Sequence, residues 1–117
     1  MNQIKRGSVY YIDASSKENV CGEQNGIRPA VVISNDIGNS FAPVVTVAFL
    51  TTKCKKYIPT HVTTNATGRK STILCEQIKT VSKEKLLSYI CNLPDKDLKK
   101  VDRAISISLG IDGRGGV

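Results

Sequence analysis

The chain has 117 residues, enough for one domain with one core, so any functional groove must use that domain's surface or an interface between subunits. No apolar run approaches the roughly 18 residues that span a bilayer, and the first residues lack the apolar core of a signal peptide, so a cytoplasmic protein without membrane contact is expected. A formal net charge of +7, from 17 Lys and Arg against 10 Asp and Glu, suits a polyanionic partner, while one histidine and four widely spaced cysteines exclude any ordinary zinc or thioredoxin-type site.

In chain order, residues 7–13 alternate around Val9, Tyr10, Tyr11 and Ile12 and predict a first strand. Residues 15–21 are polar without period and predict a mobile loop leading into Gly22-Glu23-Gln24-Asn25-Gly26-Ile27-Arg28-Pro29. That stretch sets an acid, two amides and an arginine on a glycine-flexed loop, and Pro29 fixes the chain direction as the buried run 30–34 begins. Read blandly, the same stretch only closes a turn before a strand. Asn35-Asp36 and Gly38-Asn39 are turn signals. Residues 44–50 predict a strand, 51–57 a long basic turn, 58–64 a strand, 65–70 a turn containing Gly68, and 71–79 a further strand. Glu76 and Gln77 interrupt that last apolar run, and a glutamate in such company must either face a groove or pair with a cation.

Residues 82–85 suit a short helical turn and 86–93 a last strand. Pro94 suits the first position of a helix, with Asp95 and Asp97 in the first turn, where the helix dipole favours negative charge. Leu98, Val101, Ile105 and Leu109 recur at spacings of three and four as one apolar stripe, which Gly110 ends. One domain over 1–110 and a flexible glycine-rich tail over 111–117 are expected. The pattern is that of a mainly β, α+β chain: a small, curled antiparallel sheet covered by a C-terminal amphipathic helix.

The basic residues fall beside the polar stretches: Lys53, Lys55 and Lys56 in the long turn, Arg69 and Lys70 in the next, and Lys79, Lys83 and Lys85 after Glu76-Gln77. Cys75 and Cys91 lie in apolar runs and read as small buried hydrophobes, whereas Cys21 and Cys54 lie in polar ones. Arg28 presents a fixed fork of donors that matches two phosphate oxygens and stays charged; the alternative is a structural salt bridge to Glu23 or Asp36. His61, between Thr60 and Val62, reads as structural.

The order of segments resembles the MazF/PemK family of bacterial toxins, small ribonucleases paired with antitoxins. The resemblance rests on Lys5-Arg6-Gly7-Ser8-Val9-Tyr10-Tyr11, the 22–29 loop, Val31-Val32-Ile33-Ser34-Asn35-Asp36, Leu50-Thr51-Thr52, Pro59-Thr60-His61-Val62 and Leu74-Cys75-Glu76-Gln77-Ile78-Lys79-Thr80, with Ser106-Ile107-Ser108-Leu109 closing the pattern. It implies an SH3-like barrel working as a homodimer in the cytoplasm. It also implies a metal-independent endoribonuclease, with no cofactor, that cleaves single-stranded mRNA by attack of the 2′-hydroxyl. The family's Gly-x-Arg-Pro motif carries Arg28 over as the catalytic arginine, Thr51 as its partner and Glu23 as a supporting acid.

Gln24, Asn25, Thr52, Lys53, Lys56, Glu76 and Gln77 become candidate RNA contacts. The same groove would take the acidic tail of a MazE-like antitoxin, through which alone operator DNA would be bound. One branch of the family has a histidine and an arginine where this chain has Gly22 and Leu74, so the arginine-plus-threonine chemistry is the version that fits. Only His61 is present, which excludes a two-histidine mechanism within one chain. The competing readings are a gyrase-binding toxin like the CcdB poisons, which resembles this fold without a catalytic site, and a catalytically dead binding module.

Overall fold

A computed structural model describes residues 3–15, 26–53 and 56–111. Its elements are β1 (Ser8–Asp13), β2 (Ile27–Val32), α1 (Asp36–Phe41), β3 (Val44–Thr51), β4 (His61–Thr64), β5 (Ser71–Ser82), a 3-10 turn (Lys83–Lys85), β6 (Leu86–Asn92) and α2 (Asp95–Ser108). The six strands form one antiparallel sheet in the order β4-β5-β3-β2-β1-β6. The expected mobile loop and the glycine-rich tail beyond Ile111 lie outside the described residues.

Successive strand residues point to opposite faces, and here both faces are buried. Val9, Val31, Ala48 and Leu50 face one side, where α2 covers them with Val101 and Ala104. Tyr10, Ala30, Val32, Val47 and Phe49 face the other, where Val81 and Leu86 close over them. The second core therefore has strands over it, which requires the sheet to curl. This explains why residues 30–34 and 44–50 are continuously apolar, since each strand feeds two cores and each fully buried valine or leucine stabilises the fold by about 1.5–3 kcal/mol. Among the described residues no ladder joins β4 to β6, so the curl leaves those two strands as edges.

Helix α2 begins after Pro94, which is its N-cap rather than its first residue. Asp97 in the first turn is buried, and its carboxylate accepts a hydrogen bond from the Thr64 hydroxyl at 2.7 Å, which fastens the helix to β4. The helix ends as Gly110 turns left-handed at φ 73°, and the amides of Gly110 and Ile111 satisfy the carbonyls of Ile107 and Ser106. The stripe holds at Leu98, Val101 and Ile105, with Ala104 added; Leu109 lies past it and is exposed. At the other end of the chain Gly7, at φ 92°, lies where an added Cβ would meet Leu98 at 3.3 Å. Its N–H and C=O bond to Val32 and Leu93, so this glycine lets the start of β1 slip beneath the helix.

Two local expectations change. Asn35-Asp36 starts a short helix, not a plain turn, because the Asn35 side chain caps the Gly38 amide at 2.8 Å and Asp36 occupies the first turn. And β2 starts at Ile27, which puts Arg28 and Pro29 on a strand rather than in the preceding loop. Gly7 N–H donates to Val32 and Ile33 N–H to Thr46, so even positions of β2 turn their backbone toward β1 and odd ones toward β3. β3 pairs only as far as Ala30, so the missing N–H of Pro29 points where no strand lies. Arg28 is meanwhile paired with Ile12 of β1.

Candidate active site

The ends of β1, β2 and β3 and the β4–β5 turn enclose a cleft of about 410 Å³, beyond the end of the helix-covered core. Its floor is apolar, from Pro29, Leu50 and Ile90. Its rim carries Arg28, Lys53 and Arg69, the only charged groups among the described lining residues. Three cations gathered at one rim favour negative charge nearby, so the described lining suits an anion.

Each rim residue is held by its backbone. Arg28 hangs from β2 against β1, a firmer mount than a loop. Thr51, the last residue of β3, is half-buried, and its hydroxyl oxygen accepts the Lys53 N–H at 3.1 Å. With the oxygen fixed in that way, the Thr51 O–H proton is left to donate into the cleft. Thr52 is exposed beside it. Across the cleft the turn reverses at Gly68, φ 93°, and the hydroxyls of Thr67 and Ser71 both donate to the Arg69 carbonyl, at 3.1 and 3.2 Å. That locks the turn from which the Arg69 side chain projects. Asp36, one alternative partner for Arg28, receives the Arg6 backbone N–H at 2.6 Å and the Asn39 amide at 3.4 Å.

The cleft thus brings together Arg28, Thr51, Thr52 and Lys53. Glu23, Gln24 and Asn25, and the thiols of Cys21 and Cys54, lie outside the described residues. Lys56, Glu76 and Gln77 lie apart from the cleft within the chain. Between Ala48 and Phe49 the register on β5 jumps from Ile78 to Leu74, so Cys75, Glu76 and Gln77 form a wide bulge. The Cys75 amide turns to Thr60 of the β4 side, and Glu76 swings outward to accept from the Thr60 hydroxyl at 3.1 Å and to meet His61 Nε2 at 2.9 Å. The other ring nitrogen, Nδ1, lies 3.1 Å from the Lys56 carbonyl. Of the two readings of Glu76, pairing with a neighbouring side chain is the one observed.

Burial draws the Glu76 carboxyl up, but the hydrogen bonds from His61, its own backbone and Thr60, with the charge of His61, outweigh it and hold the carboxyl below its ordinary value. Burial and then the neighbouring Glu76 carboxylate push the Cys75 thiol up to about 12, consistent with an inert core residue.

Tyr11 and Arg69 were not singled out as cleft residues by sequence reasoning. Tyr11 sits opposite Pro29 on β1, is 45% exposed, and forms one wall. The Thr67-Gly68-Arg69 turn with Ser71 was the available signal for the other wall. Among the described residues no three of His, Cys, Asp and Glu converge as metal ligands would, and no helix is long and apolar enough to cross a membrane.

Fold and cleft together define a small curled-sheet protein with a cleft at the strand ends whose described charged lining is cationic. Residues 5–109 match the family described as PemK-like, MazF-like toxins of type II toxin-antitoxin systems, and the chain belongs to that family. It is 45% identical over 113 residues to endoribonuclease EndoA of Bacillus subtilis, covering 92% of this chain and 96% of that protein. It is 44% identical over 113 residues to endoribonuclease MazF of Staphylococcus saprophyticus, covering 92% of each. Among solved structures it superposes on a mycobacterial endoribonuclease in complex with its cognate antitoxin, with a TM-score of 0.78, 25% identity and coverage of 92% and 95% of the two chains.

Proposed function

We propose that this endoribonuclease toxin, neutralised by a cognate antitoxin, cleaves single-stranded mRNA by directing the 2′-hydroxyl onto its own phosphate. The 2′-hydroxyl gives up its proton as the 2′-oxygen bonds to phosphorus, and the 5′-oxygen takes one up as its bond to phosphorus breaks, so the step exchanges no net proton. The products are a 2′,3′-cyclic phosphate and a 5′-hydroxyl. The observation that carries this reading is the meeting of Arg28 and Thr51 in a cleft whose charged lining is wholly cationic among the described residues.

Arg28 supplies paired donors to the phosphate oxygens as charge grows on them. The Thr51 hydroxyl, oriented by the Lys53 amide, donates to a phosphate oxygen or aligns the 2′-hydroxyl. Lys53 and Arg69 neutralise flanking phosphates, and the Tyr11 ring offers a face for a base. Glu23 is the supporting acid in this reading, with Gln24, Asn25 and Thr52 reading base edges. The protein works as a cytoplasmic homodimer, Lys56, Glu76 and Gln77 contribute contacts to RNA that extends past the cleft, and the antitoxin's acidic tail competes for the cleft and alone carries operator DNA.

The test is to incubate purified protein with a single-stranded RNA in EDTA and analyse the ends. Cyclic phosphate and 5′-hydroxyl termini are expected. Activity lost to chelator and restored by magnesium, or 5′-phosphate ends, would overturn the mechanism.

A further inference from the structure

The two walls of the Arg28 cleft differ in hydrogen-bonding sense. From β2 and the end of β3 come Arg28 and Lys53, whose charged groups only donate, and the Thr51 hydroxyl, whose oxygen is taken by the Lys53 amide and whose proton is left to donate. The other wall is the β4–β5 turn, where Thr67 and Ser71 line the cleft. There three oxygens form a triangle: Thr67 Oγ1 and Ser71 Oγ lie 3.1 and 3.2 Å from the Arg69 carbonyl oxygen, and 3.1 Å from each other.

A carbonyl oxygen brings no proton to such a triangle, and each hydroxyl brings one. Both hydroxyl protons are spent on the Arg69 carbonyl, and a donation from one hydroxyl to the other would spend them inside the triangle just the same. The Gly68 N–H of the turn is likewise spent, on the Asn65 carbonyl at 3.0 Å. What the two side chains offer the cleft is therefore lone pairs. Ser71 is only 5% exposed and Thr67 is half-buried, so an acceptor left facing a second acceptor here is poorly rescued by water.

We infer, building on the ribonuclease reading, that Thr67 and Ser71 are specificity residues that select adenine or cytosine beside the scissile phosphate by its exocyclic amino group. With the phosphate on the donor wall, a flanking base covers the apolar floor of Pro29, Leu50 and Ile90 and turns one edge to the β4–β5 turn. An amino group on that edge donates to the hydroxyl oxygens. Uracil and guanine carry a carbonyl oxygen at the corresponding ring position, which sets acceptor against acceptor and leaves both unpaired. A ribose hydroxyl could also donate, but it is the same at every nucleotide and gives no preference among bases.

The test maps cleavage of a randomised single-stranded RNA pool by the full chain, then measures single-turnover rates on synthetic RNAs in which an adenine flanking the cut is replaced by purine, which lacks only the amino group. The parent should cut beside adenine or cytosine, and purine should slow it about tenfold, the loss expected of one hydrogen bond. Thr67→Val should slow the adenine RNA by a similar factor and the purine RNA much less, and Thr67→Ser, which keeps the hydroxyl, should restore the preference. If Thr67→Val does not fold, Ser71→Ala is read in the same way. A mere staple of the turn, or a contact to ribose, requires instead that the variant slow adenine and purine RNA by the same factor. That result, or a parent indifferent to the amino group, overturns the inference and leaves the ribonuclease reading standing. A parent that cleaves no RNA at all sinks both.

Discussion

The cleft at Arg28 and the cluster at His61 are both polar sites beside β3 and β5, and they differ in where the carboxylate stands. At His61 a glutamate on the β5 bulge meets the ring at 2.9 Å, so the charge is consumed in tying Thr60, the Lys56 carbonyl and β5 together. At the cleft the described lining holds Arg28, Lys53 and Arg69 with no carboxylate among them, a lining that suits an anionic ligand. A carboxylate held by a ring nitrogen and a hydroxyl fastens the chain; several cations around an apolar floor suit an anion. Burial sharpens the contrast, since the His61 side chain is 7% exposed whereas Arg28 faces solvent.

The largest expected effect follows from removing the guanidinium. Arg28→Ala should lower single-turnover cleavage by about a hundredfold to a thousandfold, the loss typical of one preorganised donor. RNA affinity should fall less, because the lysines still neutralise the backbone. Next comes the threonine pair. Thr51→Ala should impair cleavage while leaving the melting temperature nearly unchanged, and Thr52→Ala should be milder, because only Thr51 has its hydroxyl fixed by the Lys53 amide. An inactive Thr52→Ala beside an active Thr51→Ala would reverse those assignments.

Smaller still is the effect of the far wall. Arg69→Ala should weaken RNA binding a few-fold and flatten its salt dependence, measured as the slope of affinity against salt, without changing the position of cleavage. Unchanged affinity and slope would take Arg69 out of the interface.

The smallest effect is confined to acid. The Glu76 carboxyl is held below its ordinary value in the fold, so it stabilises the protein above the unfolded value, about 4.3 for a glutamate. That contribution disappears as pH falls through the lowered folded value. Denaturant titrations between neutral pH and acid should therefore show less acid-dependent loss of stability in Glu76→Gln than in the parent. An identical acid limb in both would show that the His61 clasp contributes nothing to folding.

Much of this architecture was legible in residue periodicity. The helix stripe at Leu98, Val101 and Ile105, the strand at Val9 to Ile12 and the buried runs all follow from local spacing, and Glu76 stood out because its chemistry disagreed with its neighbours. What escaped depends on register. Arg28 reads as a loop residue because Gly26 and Pro29 surround it, yet β1 pairs with it, and Pro29 is tolerated only because β3 stops at Ala30. Tyr11 and Arg69 lie far apart in the chain and face one cleft only after the β4–β5 turn folds over the end of β3. The bulge that turns Glu76 away from that cleft is likewise a property of two strands, with no signal in either alone.

The most direct measurement sets Arg28→Ala against His61→Ala, with cleavage rate in the folded fraction and melting temperature determined for each. The account predicts opposite losses: Arg28→Ala keeps the melting temperature and loses the rate, whereas His61→Ala lowers the melting temperature and keeps most of the rate. If Arg28→Ala melts far below the parent while its folded fraction cleaves normally, Arg28 is a structural salt-bridge residue and the cleft is not the site of phosphate chemistry.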